Sequence, residues 1–198
     1  MSPQHSNRAA LVDGTLRCLE RLPPERVTAR VIAAESRANL ASIAYHFGSK
    51  DALVTEAVIA GLDAWLAEVA AALADLAPGE PGERLLRAFR VIERTRRRHE
   101  GLARAFLAAL AKAQHDAQVR SALATGFRRT RPAVAAVLGL GAGGPDEDAA
   151  GLLLAMFDGL LFQTLLDPRL AIEGERMELA LATLARALPG ERPNRCPQ

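Results

Sequence analysis

Three polar side chains fall within six residues at Tyr45, His46 and Lys50. A hydroxyl, an imidazole and an ammonium all suit contacts to phosphate oxygens. Just before them stand Leu40, Ala41 and Ser42. Ser42 offers a donor and an acceptor, and Leu40 and Ala41 suit the methyl group of thymine. Ile43 and Phe47 interleave with these residues at helical spacing and are expected to point inward. Taken singly, each residue has an ordinary structural reading: Tyr-His-Phe can close a helix against a core, and Lys50 can be a solvated lysine. It is their spacing together that singles them out. No comparable constellation suggests catalysis. His5, His46, His99 and His115 are scattered without metal-ligand spacing, Asp158 has no evident base or nucleophile partner, and no Gly-rich phosphate loop is present. The expectation is no catalytic residue, no metal, no cofactor and no enzymatic activity.

The elements that must position this group are helical. Thr28 is a good N-cap, with Val27 and Ile32 at hydrophobic-staple positions, and this helix ends near Ser36. Asn39 caps the next, with Ala38 and Ile43 at the staple positions, and that helix stops near His46 or Phe47, before Gly48. Ser49 caps a fourth helix with Asp51 in its first turn, where the helix dipole favours a negative charge. Val54, Val58, Leu62, Trp65, Val69, Leu73 and Leu76 then step by threes and fours, giving a helix of roughly 40 Å at 1.5 Å per residue. A first helix over about 7–22 is stopped by Pro23-Pro24. Five more are predicted at about 81–98, 101–113, 115–138, 146–166 and 172–188. No strand alternation appears. The fold class is therefore all-α: an N-terminal three-helix helix-turn-helix domain over 1–53, a helical domain over 54–188, and a flexible tail over 189–198.

Two short helices after a longer one form a helix-turn-helix, whose second helix can present its N-terminal residues to base edges in the major groove. The stretch from Thr28 to Leu53 resembles the DNA-binding signature of the TetR family, most specifically in Tyr45-His46-Phe47-Gly48-Ser49-Lys50 followed by Leu53. The resemblance implies a phosphate contact at Thr28, base-facing positions at Asn39, Leu40, Ala41 and Ser42, backbone contacts at Tyr45 and His46, and a phosphate contact at Lys50. Arg30 and Arg37 are added from charge and position. Where the family has glycine in the turn, this chain has Ser36-Arg37. If residue 37 is left-handed, its strain is roughly 1–2 kcal/mol.

The whole-chain balance of 25 basic against 23 acidic residues makes no electrostatic case for nucleic acid. Residues 1–53 carry seven basic and five acidic side chains, so a DNA-binding reading must rest on the local motif. Cys18 and Cys196 form no disulfide framework, which fits a reducing cytoplasm. The nearly uncharged run Ala149–Leu166 is long enough for a membrane span. Asp158 inside it argues instead for a helix buried in protein, and no membrane partner is expected.

The resemblance further implies a homodimer on a double-stranded DNA operator, formed through helices near 146–166 and 172–188, with a small apolar effector bound among the helices between. Candidate lining residues are Phe89, Ile92, Phe106, Leu110, Phe127, Met156 and Phe162, which at helical spacing can equally be plain core. The run Arg94, Arg96, Arg97, Arg98, His99 reads as a solvated face, or as an attractor for an anionic effector or the DNA backbone. The leading expectation is a ligand-responsive repressor on a palindromic operator. The alternative is a helical ligand- or protein-binding dimer with weak or lost DNA binding.

Overall fold

A computed structural model of the chain describes residues 3–74 and 81–187. Leu76, Cys196 and the tail over 189–198 lie outside the described residues. Among those described there are nine α-helices and no strand: α1 (Pro3–Arg21), α2 (Ala29–Glu35), α3 (Ala41–Phe47), α4 (Lys50–Ala74), α5 (Pro81–Thr95), α6 (Glu100–Lys112), α7 (Ala117–Leu138), α8 (Gly144–Leu166) and α9 (Glu175–Ala187).

Each start has its local cause. Thr28 accepts from the Val31 amide at 3.3 Å, Ser49 from the Ala52 amide at 3.0 Å, and Asp116 from the Gln118 and Val119 amides. These caps satisfy donors that a helix cannot satisfy internally. Two short 3-10 turns, Pro24–Arg26 and Pro168–Leu170, were not anticipated. Both begin at proline, whose fixed φ suits a first turn. The second, with Gly174 at φ +55°, delays α9 to Glu175 rather than 172. Helix α5 stops at Thr95 rather than 98 because residues 96–99 turn.

Helix α4 is the spine. Leu53, Ala57, Val58, Gly61, Trp65, Val69 and Leu73 are buried along it. It packs on α1 and α3 at one end and on α5, α6 and α7 farther along. The boundary expected between residues 53 and 54 thus falls inside a continuous helix. A second bridge is α6, which packs on α1, α4, α7 and α8. At Gly101 a Cβ would lie 2.0 Å from the Leu19 carbonyl oxygen, so glycine alone permits this approach of α6 to α1. The far end of α6 is tied by Lys112 to Asp51, in the first turn of α4.

Helix α8, expected to lie buried in protein and to meet a partner copy, has only Ala150, Leu161 and Thr164 buried within one chain. Leu152 and Leu166 are 74% and 79% exposed, and Leu170, Leu179 and Leu184 extend this exposed apolar face to α9. By length and composition α4 and α8 are both apolar enough to cross a membrane. In α4 the apolar residues build the core; in α8 one side packs on α7 and the other is open.

Candidate nucleic-acid interface and ligand cavity

Helix α3 is anchored from below. Ile43 and Phe47 are buried, and the Arg8 guanidinium lies 5.0 Å from the Phe47 ring centre. Asn39 Oδ1 accepts from the Ala41 amide at 2.9 Å, so Asn39 caps the helix although regular geometry begins two residues later. On the opposite side Asn39, Leu40, Ala41 and Tyr45 are exposed, and Ser42, His46 and Lys50 are partly exposed. Tyr45 is 73% exposed, which removes its structural reading as an aromatic packed on the core. Such a tyrosine, held edge-on to His46 at 4.9 Å, is free to meet a partner. Thr28 uses an oxygen lone pair as its cap, so its O–H remains available as a donor.

The modest charge of this region is unevenly spent. Arg17 and Arg21 are both tied to Glu35, and Arg8 to Glu56. Lys50 shares Asp51 with Lys112. Burial tends to raise the Asp51 carboxyl, but the two lysines outweigh it and hold it below its ordinary value. Arg30 and Arg37 are exposed and make no ion pair among the described residues. Ion pairing therefore concentrates the uncompensated positive charge near α2 and the turn that precedes α3.

Arg37 has φ +51°, the one non-glycine left-handed residue among those described. Its strain of about 1–2 kcal/mol is partly offset in any glycine variant by roughly 0.5–1 kcal/mol of extra unfolded-state entropy. Arg37→Gly is expected to stabilise by about 0.5–1 kcal/mol, raising Tm by about 1–4 °C for a chain of this size. A thermal melt checks this; an unchanged or lower Tm counts against the strain.

Between α4, α5, α6, α7 and α8 lies a cavity of about 130 Å³. Phe89, Ile92, Phe106 and Phe127 stand on its wall. Leu110, Met156 and Phe162 do not. Phe162 packs behind Phe106, with ring centres 5.6 Å apart. Leu110 sits one turn beyond Phe106, against the core. Met156 is off the α8 face formed by Leu153, Leu154, Phe157 and Asp158. The sequence reading also missed Trp65, Asp63, Phe157 and Asp158 as wall residues. A lone carboxylate in an apolar helix was the available signal for Asp158.

Trp65 is fixed by donation from Nε1 to Thr95 Oγ1 at 2.7 Å. It stacks on His99 at 4.6 Å and meets Phe157 edge-on at 5.4 Å. The arginine run beyond α5 is partly tied down: Arg96 pairs with Glu173, and Arg98 and His99 with Glu68.

Residues 11–57 match the model of bacterial regulatory proteins of the tetR family, and residues 81–190 match that of the BetI-type transcriptional repressor C-terminal domain. The second match alone spans more than half of the chain. The chain belongs to the TetR family of transcriptional regulators. As in that family, a DNA-binding N-terminal domain is followed by a ligand-binding C-terminal domain. Similar solved structures include a chain of Pseudomonas aeruginosa PAO1 described as a transcriptional regulator, 26% identical with a TM-score of 0.66, covering 94% of this chain and 92% of that one. The multidrug binding protein EbrR, complexed with imidazole, is 26% identical with a TM-score of 0.65, covering 94% and 97%. A Saccharomonospora viridis regulator in complex with choline shares the fold at 22% identity and TM-score 0.62, covering 87% and 93%. None of the curated proteins matches the chain.

Proposed function

We propose that the chain is a ligand-responsive, sequence-specific repressor that acts in the cytoplasm as a homodimer on a two-fold symmetric operator. The observation that carries this reading is the exposed side of α3, with Tyr45 raised into solvent over the buried Ile43 and Phe47. In it Asn39, Leu40, Ala41 and Ser42 face bases, while Thr28, Arg30, Arg37, Tyr45, His46 and Lys50 hold the DNA backbone.

The cavity is the effector site, a reading supported by its apolar wall and by the ligand-bound state of EbrR. Phe106 of α6 lies on that wall, while α6 meets α1 at Gly101 and α4 through Lys112. An effector that moves α6 therefore moves the helices carrying α3. It shifts the population only by its differential affinity for the two states.

The partner copy covers the exposed leucines of α8 and α9, placing two α3 helices about a two-fold axis. Each leucine buried contributes about 1.5–3 kcal/mol, so Leu152→Lys with Leu179→Lys removes four such contributions per dimer. Analytical ultracentrifugation should show a dimer for the parent and a monomer for the double variant. A parent that is monomeric at micromolar concentration contradicts this interface.

Selection from a randomised duplex library tests the function as a whole. The expected product is an inverted repeat bound by two chains, its half-sites spaced by whole helical turns. Failure to enrich any sequence favours the alternative, a helical ligand- or protein-binding dimer with weak or lost DNA binding.

A further inference from the structure

Asp158 lies on the cavity wall within the apolar stretch of α8. Removing a carboxylate from water without a partner is costly. Burial alone pushes this carboxyl up to about 7, with neither a hydrogen bond nor a counter-charge among the described residues to offset it. The other charged wall residue is Asp63 of α4. Burial raises its carboxyl too, against the Arg129 guanidinium of α7 to which it is paired. Thr130 of α7 adds a hydroxyl, while α5 and α6 contribute only apolar side chains, among them Phe89, Ile92 and Phe106. His99 and Glu68 pair with each other behind Trp65, and Arg131 lies beside Gly151, about two turns before Asp158.

This arrangement discriminates between ligand classes. An anion meets two carboxylates. A neutral apolar molecule leaves Asp158 still without a counter-charge. A cation with an apolar body supplies that charge and buries its body against the wall. Trp65 and Phe157 on the same wall give that body an aromatic surface to pack on.

We propose that the cavity takes a monovalent organic cation with an apolar body, its charge seated against the Asp158 carboxylate and its ring or chain against Trp65, Phe89 and Phe157. This rests on the reading of the cavity as the effector site and adds the class of effector. The cavity of about 130 Å³ is close to the size of an apolar cavity that admits benzene, about 150 Å³, so a single ring is a suitable body. Seating the cation favours the ionised carboxylate and releases its proton to solvent, so cation affinity falls as pH drops below about 7.

Trp65 is the single tryptophan of the chain and reports on the cavity directly. The test titrates its fluorescence in the full-length protein with benzylammonium, which stays largely protonated up to pH 8.5, and with ethylbenzene, its uncharged carbon isostere. At pH 8.5 the cation should bind at least about tenfold more tightly than the isostere, a difference of about 1.4 kcal/mol. Between pH 8.5 and pH 5.5 its affinity should fall more than about tenfold, while that of the isostere changes little. In Asp158→Asn the cation preference and the pH dependence should both vanish, with isostere binding retained. Equal affinity for both compounds in the parent protein, or a cation affinity indifferent to pH, overturns the proposal while leaving the cavity as a site for neutral ligands. If neither compound alters Trp65 emission up to millimolar concentration, the effector-site reading falls with it.

Discussion

Replacing Tyr45 and Lys50 together by alanine is expected to weaken operator binding about a hundredfold or more, without lowering Tm appreciably. Each side chain is assigned a phosphate contact, and a dimer presents each twice, so four contacts are lost. At about 0.5–1.5 kcal/mol net per hydrogen bond, the loss is roughly 2–6 kcal/mol, centred near a several-hundredfold change in affinity. Folding should hardly register the change. Tyr45 is 73% exposed and contributes little to the core. Lys50 is one of two cations on Asp51, and Lys112 remains when it is removed. The lysine also has a signature that tyrosine lacks. Two phosphate neutralisations fewer per dimer should reduce the slope of log affinity against log salt by about two. Anisotropy titrations at several salt concentrations measure both quantities. A double variant that binds like the parent places the DNA contacts elsewhere.

Gly101→Ala is expected to be the most damaging single-methyl change outside that surface. The added Cβ would stand 2.0 Å from the Leu19 carbonyl oxygen and 2.9 Å from its carbon. These are backbone atoms of a neighbouring helix, so no side chain can rotate aside. Overpacking of this kind costs typically 1–3 kcal/mol, occasionally more. At about 3 kcal/mol, Tm falls by roughly 6–12 °C. Gly82→Ala is the internal control. Nothing lies within 4 Å of a Cβ there, and alanine in the first turn of α5 should stabilise, by up to about 1 kcal/mol. Parallel melts compare the two. Equal Tm values would show that α6 slides on α1 at little cost. The second readout is functional. Since this contact joins the cavity helix to α1, a folded Gly101→Ala chain should have altered DNA affinity even without effector.

The contrast between these two sites shows where the sequence was informative. Caps and periodicity carry their meaning locally: Thr28, Asn39 and Ser49 behave in space as their side chains suggest, and Ile43 and Phe47 turn inward as their spacing requires. The Arg37 turn was also legible, because residue type and the required φ meet at one position. The Gly101 approach was not. It depends on the Leu19 backbone, 82 residues earlier, and nothing near Gly101 announces it. The cavity lies between these extremes. Phe89, Ile92, Phe106 and Phe127 reach the wall, while Leu110, Met156 and Phe162 miss it by one turn or by the angle between successive residues. Helical periodicity gives an apolar face, but which part of that face meets a void depends on how five helices cross. Helix α8 shows a further limit. Its hydropathy suggested burial, but one chain covers only one side of it. The rest of that surface is the face assigned above to a proposed partner copy.

The competition between specific and random DNA at physiological salt tests the central claim most directly. Full-length protein is bound to the labelled duplex enriched from the random library and challenged with unlabelled scrambled duplex of equal length and composition. A specificity ratio of about a thousandfold or more is expected, the lower end for operator-binding proteins. A ratio near one, with whatever binding exists lost between 50 and 200 mM salt, would show a surface held to DNA by charge alone and would contradict the account.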